Sequence, residues 1–508
     1  MVQKTRQMKF GYVAAVLLSI YPVMQPFMRN IKVLNWNQTL IPLSIILIFS
    51  TFLYLVFSIK IRNSYTIAII VPVITSVVFL YNALHVFLIS QPNFLNLIGR
   101  HRVLIPALLI MVSCFVYWIS YSEFKIKKTL LVFLIVLNVL PFSNLFYAKS
   151  AVLKTQIKDY PVQNLSILNE NSPDVFFIIL DMYPSNLVLE KYFGFDNKEF
   201  TNKLESLGFN VFSNSKSNYS RTSLSLASIL NMEYIHRESD TVSNELTVAN
   251  LNYILENGKV QNYFKKKGYN YYWFEGGYLS GKKEYTSNEI FIPVPGTLYS
   301  RQESADNDFL MYFINNSVLS PFSERIKIIS VEIFRKRLNN ILFNLPVLAK
   351  NKDYKFVFAH IMAPHPPFIF GENGEKIYYS ESSMDRKSTF INQLKYINKR
   401  MIDVLEKIVK INNGRDKIII IQGDHGTREI LPNNIYSSRQ NWVEEAFGNL
   451  NVIYFSDTNK NKKVKYYSPV NTFRFIFNEQ FNENFKLLDD KEYYSDFTFP
   501  LKIHKIEK

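Results

Sequence analysis

The sequence predicts an α-helical membrane region of five spans, followed by an α/β domain with a mostly parallel sheet flanked by helices. Two observations carry that reading. Five long apolar stretches follow one another within the first 150 residues, and beyond residue 170 short apolar strands ending in acids or histidines alternate with segments of helical spacing. The chain has 508 residues, enough for a membrane region and one sizeable domain with its own core.

In order, the apolar stretches are Phe10 to Phe27, Leu40 to Ile59, Tyr65 to Ile89, Val103 to Tyr121 and Leu130 to Tyr147. Each is long enough to cross a hydrocarbon core of about 30 Å as a helix. Five in succession, joined by short basic connections, do not read as buried helices of a soluble protein. The first is not read as a cleavable leader, because further spans follow it. Lys4, Arg6, Lys9, Lys60, Arg62, Lys125, Lys127 and Lys128 would lie on one side, and Arg29, Lys32, Arg100 and Arg102 on the other. That asymmetry puts the amino terminus in the cytoplasm, and an odd number of spans then carries everything after about residue 150 outside.

The net charge of +16 is uneven: residues 1–150 hold 13 Lys plus Arg against one acid, Glu123, which leaves only +4 for the remainder. The excess therefore reads as membrane topology, and no nucleic-acid partner is expected. The single cysteine, Cys114, lies in the fourth apolar stretch, which excludes an intramolecular disulfide and a thiol nucleophile in the outer domain.

Residues 151–171 are polar and irregular and read as a linker between a membrane domain, 1–150, and an extracytoplasmic domain, 172–508. There, Asp174 to Asp181 (DVFFIILD), Lys355 to His360 (KFVFAH) and Lys417 to Asp424 (KIIIIQGD) have the continuous apolar character of buried parallel strands. Lys198 to Leu207, Arg221 to Leu230 and Thr389 to Val409 have helical spacing. Ligands of such sheets bind at the carboxyl ends of the strands, which here are Asp181, His360 and Asp424.

Four segments could carry chemistry. In Gly423-Asp424-His425-Gly426 an adjacent carboxylate and imidazole at a strand end can turn toward one divalent cation, although an Asp-His turn at the surface would look the same. In Asn218-Tyr219-Ser220-Arg221-Thr222-Ser223 a hydroxyl stands at a helix start, where free N–H groups favour anions; a plain helix cap reads identically. Asp181 closes the first strand and is either a metal ligand or an exposed strand end. His360-Ile361-Met362-Ala363-Pro364-His365-Pro366-Pro367 offers two histidines as phosphate contacts or general acids, or as packed loop residues.

Their order, strand acid, hydroxyl at a helix start, His-Pro segment and GDHG, resembles the alkaline phosphatase-like superfamily of sulfatases, phosphatases and phospho-headgroup transferases. The five spans before an external domain are similar to the lipoteichoic acid synthase and phosphoethanolamine transferase branch. The late segment Ser468-Pro469-Val470-Asn471-Thr472-Phe473-Arg474 resembles that of bacterial sulfatase-like membrane proteins. The resemblance implies that Asp181, Thr222, Asp424 and His425 hold one Mn²⁺ or Zn²⁺, that Thr222 is the nucleophile, and that His365 contacts the phosphate or assists the leaving group. It leaves His360, Arg221 and Arg428 as candidate substrate contacts.

The sequence departs from the family in places. The transferase branch usually has Glu where Asp181 stands, and sulfatases carry a C/S-x-P-x-R motif whose first residue becomes formylglycine, a conversion closed to Thr222. Seven histidines in the chain are too few for the two-metal phosphatases. The expectation is a bacterial inner-membrane, multi-pass transferase that moves phosphoglycerol or phosphoethanolamine from a phospholipid donor to a glycan or lipid acceptor. The alternatives are a phosphate or sulfate ester hydrolase, an inactive metal-binding scaffold, or a channel-like protein with an external cap.

Overall fold

The computed structural model describes residues 2–29, 36–91, 94–143, 168–169, 172–235, 251, 254–274, 286–294, 304–377, 385–427, 430, 439–495 and 503–506. The chain forms two compact units, one of residues 1–153 with 304–327 and the other of 154–303 with 328–508.

The first unit is helical: α1 (Val2–Leu18), α2 (Tyr21–Arg29), α3 (Leu40–Lys60), α4 (Ser64–Phe79), α5 (Tyr81–Ile89), α6 (Phe94–Gly99), α7 (His101–Tyr121) and α8 (Phe124–Val139). Three helices, Leu40–Lys60, His101–Tyr121 and Phe124–Ser143, are long and apolar enough to cross a membrane. The number rises to five if each of two bent pairs is one span: Lys9–Leu18 with Tyr21–Arg29, bent by 40°, and Ser64–Phe79 with Tyr81–Ile89, bent by 52°. The expected first and third spans are thus broken helices, and the end of the expected fifth, together with most of the expected 151–171 linker, lies outside the described residues. Helix α4 is the inner one, with Ile67 to Pro72 all buried. Gly11 lets α1 cross it, since a Cβ there would stand 2.5 Å from the Cβ of Ser64.

Residues 304–327 fall inside the expected 172–508 domain yet pack with the helices of the first unit. The apolar face of the helix Ser304–Asn316 explains this. Phe309 and Phe313 are buried among Val23, Phe27, Ile46 and Phe79, and the Phe313 ring stacks on Phe79 at 4.7 Å. Just beyond, the Val318 N–H donates to the Val78 carbonyl at 2.7 Å.

The second unit is α/β. Its main sheet is built from β1 (Asp174–Leu180), β2 (Asn210–Val211), β3 (Asn270–Phe274), β4 (Glu289–Ile292), β5 (Lys355–Ile361), β6 (Lys417–Gly423) and β7 (Asn451–Phe455), in the order β2-β7-β6-β1-β5-β3-β4. Strands β4, β3, β5, β1 and β6 run parallel, and β7 pairs antiparallel to both β6 and β2. Every residue of β1, β5 and β6 is buried, which is why these strands read as unbroken apolar runs rather than alternating ones.

Alternation persists in which face each side chain joins. Phe176, Ile178 and Leu180 of β1 pack beneath α9 (Asn186–Phe193), α10 (Lys198–Ser206) and two long helices, Ser323–Lys350 and Arg386–Lys410. Val175, Phe177 and Ile179 pack on the opposite face, under α11 (Thr222–Asn231), the helix Lys259–Lys266 and the helix Thr472–Phe481. Arg474, in the late segment, fixes the last of these by donating to the carbonyls of Met232 and Lys486.

The amino ends of the central strands carry a buried ionic cluster. Asp174 and Lys355 have fully buried side chains 2.9 Å apart, and Arg415 Nε and Asn413 Nδ2 hold the same carboxylate at 3.1 and 2.6 Å. Burial lowers the Lys355 ammonium from its ordinary value, against the pull of Asp174. Removing the acid alone would strand a buried cation, which costs about 3–5 kcal/mol. Asp174→Ala is therefore expected to lower the midpoint of the unfolding transition followed by tryptophan fluorescence; an unchanged midpoint would show that the cluster contributes nothing to stability.

Candidate active site

Strand register assembles the site. β1 lies between β5 and β6, with Ile179 beside His360 and Leu180 beside both Ile361 and Gly423. Asp181, His360 and Asp424 therefore stand at one edge of the sheet, at the carboxyl ends of three adjacent strands. The fourth contributor arrives from the other side: Thr222 is the first residue of α11, and its Oγ1 lies 3.2 Å from His425 Nε2.

Each of these side chains is buried and anchored on one side only. Asp424 Oδ1 accepts the N–H of Met182 at 2.9 Å, while its Oδ2 has no hydrogen-bond partner among the described residues. Asp181 Oδ2 accepts from His360 Nε2 at 3.1 Å, and its Oδ1 is likewise without one. His425 Nδ1 faces the Gly426 carbonyl at 2.7 Å. A carbonyl only accepts, so Nδ1 carries the proton and the lone pair is on Nε2, turned to the Thr222 hydroxyl.

Ligand atoms of Asp181, Asp424 and His425 all lie within 4.8 Å of one another. Two carboxylate oxygens without hydrogen bonds, an imidazole lone pair and a hydroxyl make a mixed N/O donor set that fits one divalent cation such as Zn²⁺ or Mn²⁺. The charges agree with that. Burial alone would raise the Asp181 carboxyl, but the charge of His365 and the hydrogen bond from His360 outweigh it and hold the group below the ordinary carboxylate range.

Main-chain devices absent from the expected site keep these donors in place. Met182 takes a left-handed conformation, φ +59°, which turns its N–H onto Asp424. Gly423 and Gly426 are demanded by close approach: a Cβ would stand 2.1 Å from the Tyr183 carbonyl oxygen in the first case and 1.9 Å from that of Glu445 in the second. Ser225, one turn along α11 from Thr222, donates from Oγ to the Asp424 carbonyl at 2.6 Å and so ties the helix that Thr222 begins to the Asp424-His425 loop. The spacing of three between Thr222 and Ser225 puts both on one helix face, which is the signal that could have marked Ser225 in advance.

His365 and His360 part company. The His360 ring is buried, with Nε2 against Asp181 Oδ2 at 3.1 Å. His365 is half-buried, with its Nδ1 donating to the Pro366 carbonyl and its main-chain N–H donating to the Asp181 carbonyl at 3.1 Å. Buried Gln393 clamps that loop through the carbonyls of Pro364 and His365 and the N–H groups of Ile369 and Phe370. Arg221 is half-buried at the cap of α11, next to Thr222. Arg428 lies outside the described residues.

The site has recognisable kin. No curated protein matches the chain significantly. Among solved structures it is similar to the full-length integral membrane lipooligosaccharide phosphoethanolamine transferase A (EptA) of Neisseria meningitidis, at 12% identity over 94% of this chain and 95% of that one, with a TM-score of 0.35. It is also similar to the periplasmic domain of EptC from Escherichia coli in complex with Zn, at 12% identity, 61% and 82% coverage and a TM-score of 0.37. A third is the lipoteichoic acid synthase LtaP of Listeria monocytogenes, at 12% identity, 56% and 66% coverage and a TM-score of 0.30. The sulfatase family model matches residues 173–478, more than half of the chain and all of the residues assembled above. The chain belongs to the sulfatase family.

Proposed function

We propose that the protein is a metal-dependent phospho-headgroup transferase working at the outer face of a bacterial inner membrane. It would move phosphoglycerol or phosphoethanolamine from a phospholipid to a hydroxyl of a glycan or lipid. The observation that carries this reading is the Thr222 hydroxyl, held at the start of α11 against the unprotonated Nε2 of His425 and beside two buried carboxylates. A threonine in that position can attack phosphorus, whereas it cannot supply the formylglycine on which sulfatases depend. The apolar helices of the first unit suit a donor that is itself a lipid.

Asp181, Thr222, Asp424 and His425 would hold the cation, which when bound favours ionised Thr222 and offsets charge on the phosphoryl oxygens. In the first transfer, Thr222 Oγ1 forms a bond to phosphorus and the bond from phosphorus to the diacylglycerol oxygen breaks. The leaving oxygen takes a proton, which His365 as an imidazolium would give from Nε2, its Nδ1 proton being committed to the Pro366 carbonyl. The N–H groups of the first turn of α11 are spared intrahelical bonds and can hold phosphoryl oxygens. In the second transfer an acceptor hydroxyl oxygen forms a bond to phosphorus, the bond from phosphorus to Thr222 Oγ1 breaks, and the proton lost by the acceptor returns the threonine to its hydroxyl form.

Purified full-length protein with Mn²⁺ or Zn²⁺ should release labelled diacylglycerol from phosphatidylglycerol or phosphatidylethanolamine, and the faster lipid identifies the group moved. Thr222→Ala should lower that rate on the order of 10³-fold or more. Release that survives the substitution, or no release from either lipid by folded, metal-loaded protein, sinks the proposal.

Metal analysis supplies a separate check. The wild-type chain is expected to retain one equivalent of divalent metal through gel filtration, and Asp424→Asn to lose it, because the amide removes the charge while keeping the oxygen that accepts from Met182. Equal metal content in the two proteins would remove Asp424 from the ligand set.

A further inference from the structure

A second group of titratable side chains lies in the membrane unit, where the active site makes no use of it. Tyr81 and His85 of α5 meet His101, the first residue of α7, and Gly99, the last of α6. The Tyr81 hydroxyl, on a buried residue, is 2.7 Å from His101 Nδ1. His85 Nδ1 donates to the Gly99 carbonyl at 2.8 Å. The two imidazole rings stack with centroids 3.9 Å apart and planes 19° from parallel. Gly99 is what allows the approach, since a Cβ on it would stand 2.9 Å from both the Ile89 nitrogen and the Leu88 Cβ.

We propose that this pair is a binding site for the phosphodiester of a membrane lipid. In both rings Nδ1 is committed to the protein, so Nε2 is the edge left for a ligand. With Tyr81 donating to Nδ1, neutral His101 carries its proton on Nε2 and donates from there to a phosphate oxygen. His85, with Nδ1 given to the Gly99 carbonyl, presents its own Nε2 edge on the same stacked pair. Both rings are half-buried, open enough to be reached, and Arg100 and Arg102 flank His101 as exposed residues.

Nothing acidic occurs between residues 64 and 122 to neutralise these groups within that stretch. The surroundings favour a lipid over a free anion. Leu84 and Phe87 of α5 and Phe94 and Leu97 of α6 are all exposed, so acyl chains could lie beside the phosphate they carry. The site is read without reference to Thr222 and stands or falls independently of the transfer chemistry.

The test is histidine-selective NMR of the full-length protein in a micelle of uncharged detergent, titrated with dihexanoyl phosphatidylglycerol, dihexanoylglycerol or inorganic phosphate. The stacked rings identify themselves by a mutual Overhauser effect, and His85→Asn and His101→Asn confirm the assignment where they fold. Both ring signals should move with the phosphatidylglycerol and not with dihexanoylglycerol. The double substitution Arg100→Gln, Arg102→Gln should weaken that response roughly tenfold, and Thr222→Ala should leave it unchanged. Rings that ignore the phospholipid overturn the site, and an equal response to inorganic phosphate overturns its assignment to a lipid.

Discussion

Two carboxylates that share a buried sheet edge are the constraint around which the catalytic unit is arranged. Asp181 is 1% exposed and Asp424 fully buried, and each has an oxygen without a hydrogen bond among the described residues. Like charges so placed, out of water, are tolerated only if positive charge stands close to both. His365 and His360 supply part of it around Asp181. The two free oxygens, the His425 lone pair and Thr222 converge on the position a cation would take. A carboxylate pair that would be a liability in an ordinary core could thereby hold a cation, and the contacts described around it keep the two acids from turning away.

The backbone carries much of that burden. Oδ1 of Asp424 is held by a main-chain N–H, from a Met182 in a conformation that costs a non-glycine residue energy. The glycines on either side of Asp424-His425 allow other backbone to pass where a side chain would collide. Asn449 Nδ2 donates to the Gly423 carbonyl at 2.6 Å, and the Leu450 and Gly423 main chains bond across to the same turn. Such bonds do not depend on rotamer choice, so the two free carboxylate oxygens are aimed with little freedom to relax.

This division of labour decides what could be read in advance. Strands β1, β5 and β6 were legible because burial on both faces writes a continuous apolar run that ends in a polar residue at the edge. Asp181, Thr222, Asp424 and His425 were legible as candidates because side-chain type and strand-end position are written in the sequence, and the structure brings them together. The Met182 N–H and the carbonyl that Ser225 binds were not, since a main-chain group has no letter in a sequence. His360 looked like a substrate contact because type and location do not show direction, and the register of β5 on β1 turns it toward Asp181. The return of residues 304–327 to the helical unit was hidden for another reason: an apolar helix face states that it must be covered, never by what.

On the proposed function, charge balance would narrow the substrate further. Two aspartates and one divalent cation would sum to neutrality, and an ionised Thr222 would return one negative charge. A phosphodiester adds one more, whereas a phosphate monoester adds nearly two. Among the described residues His365 stands at the half-buried edge and Arg221 at the start of α11. On the proposed function, a singly charged diester would leave less negative charge beside the alkoxide to be offset than a monoester would. A chain that has helices to lie in a bilayer has the commonest diester of all, the phospholipid headgroup linkage, concentrated around it.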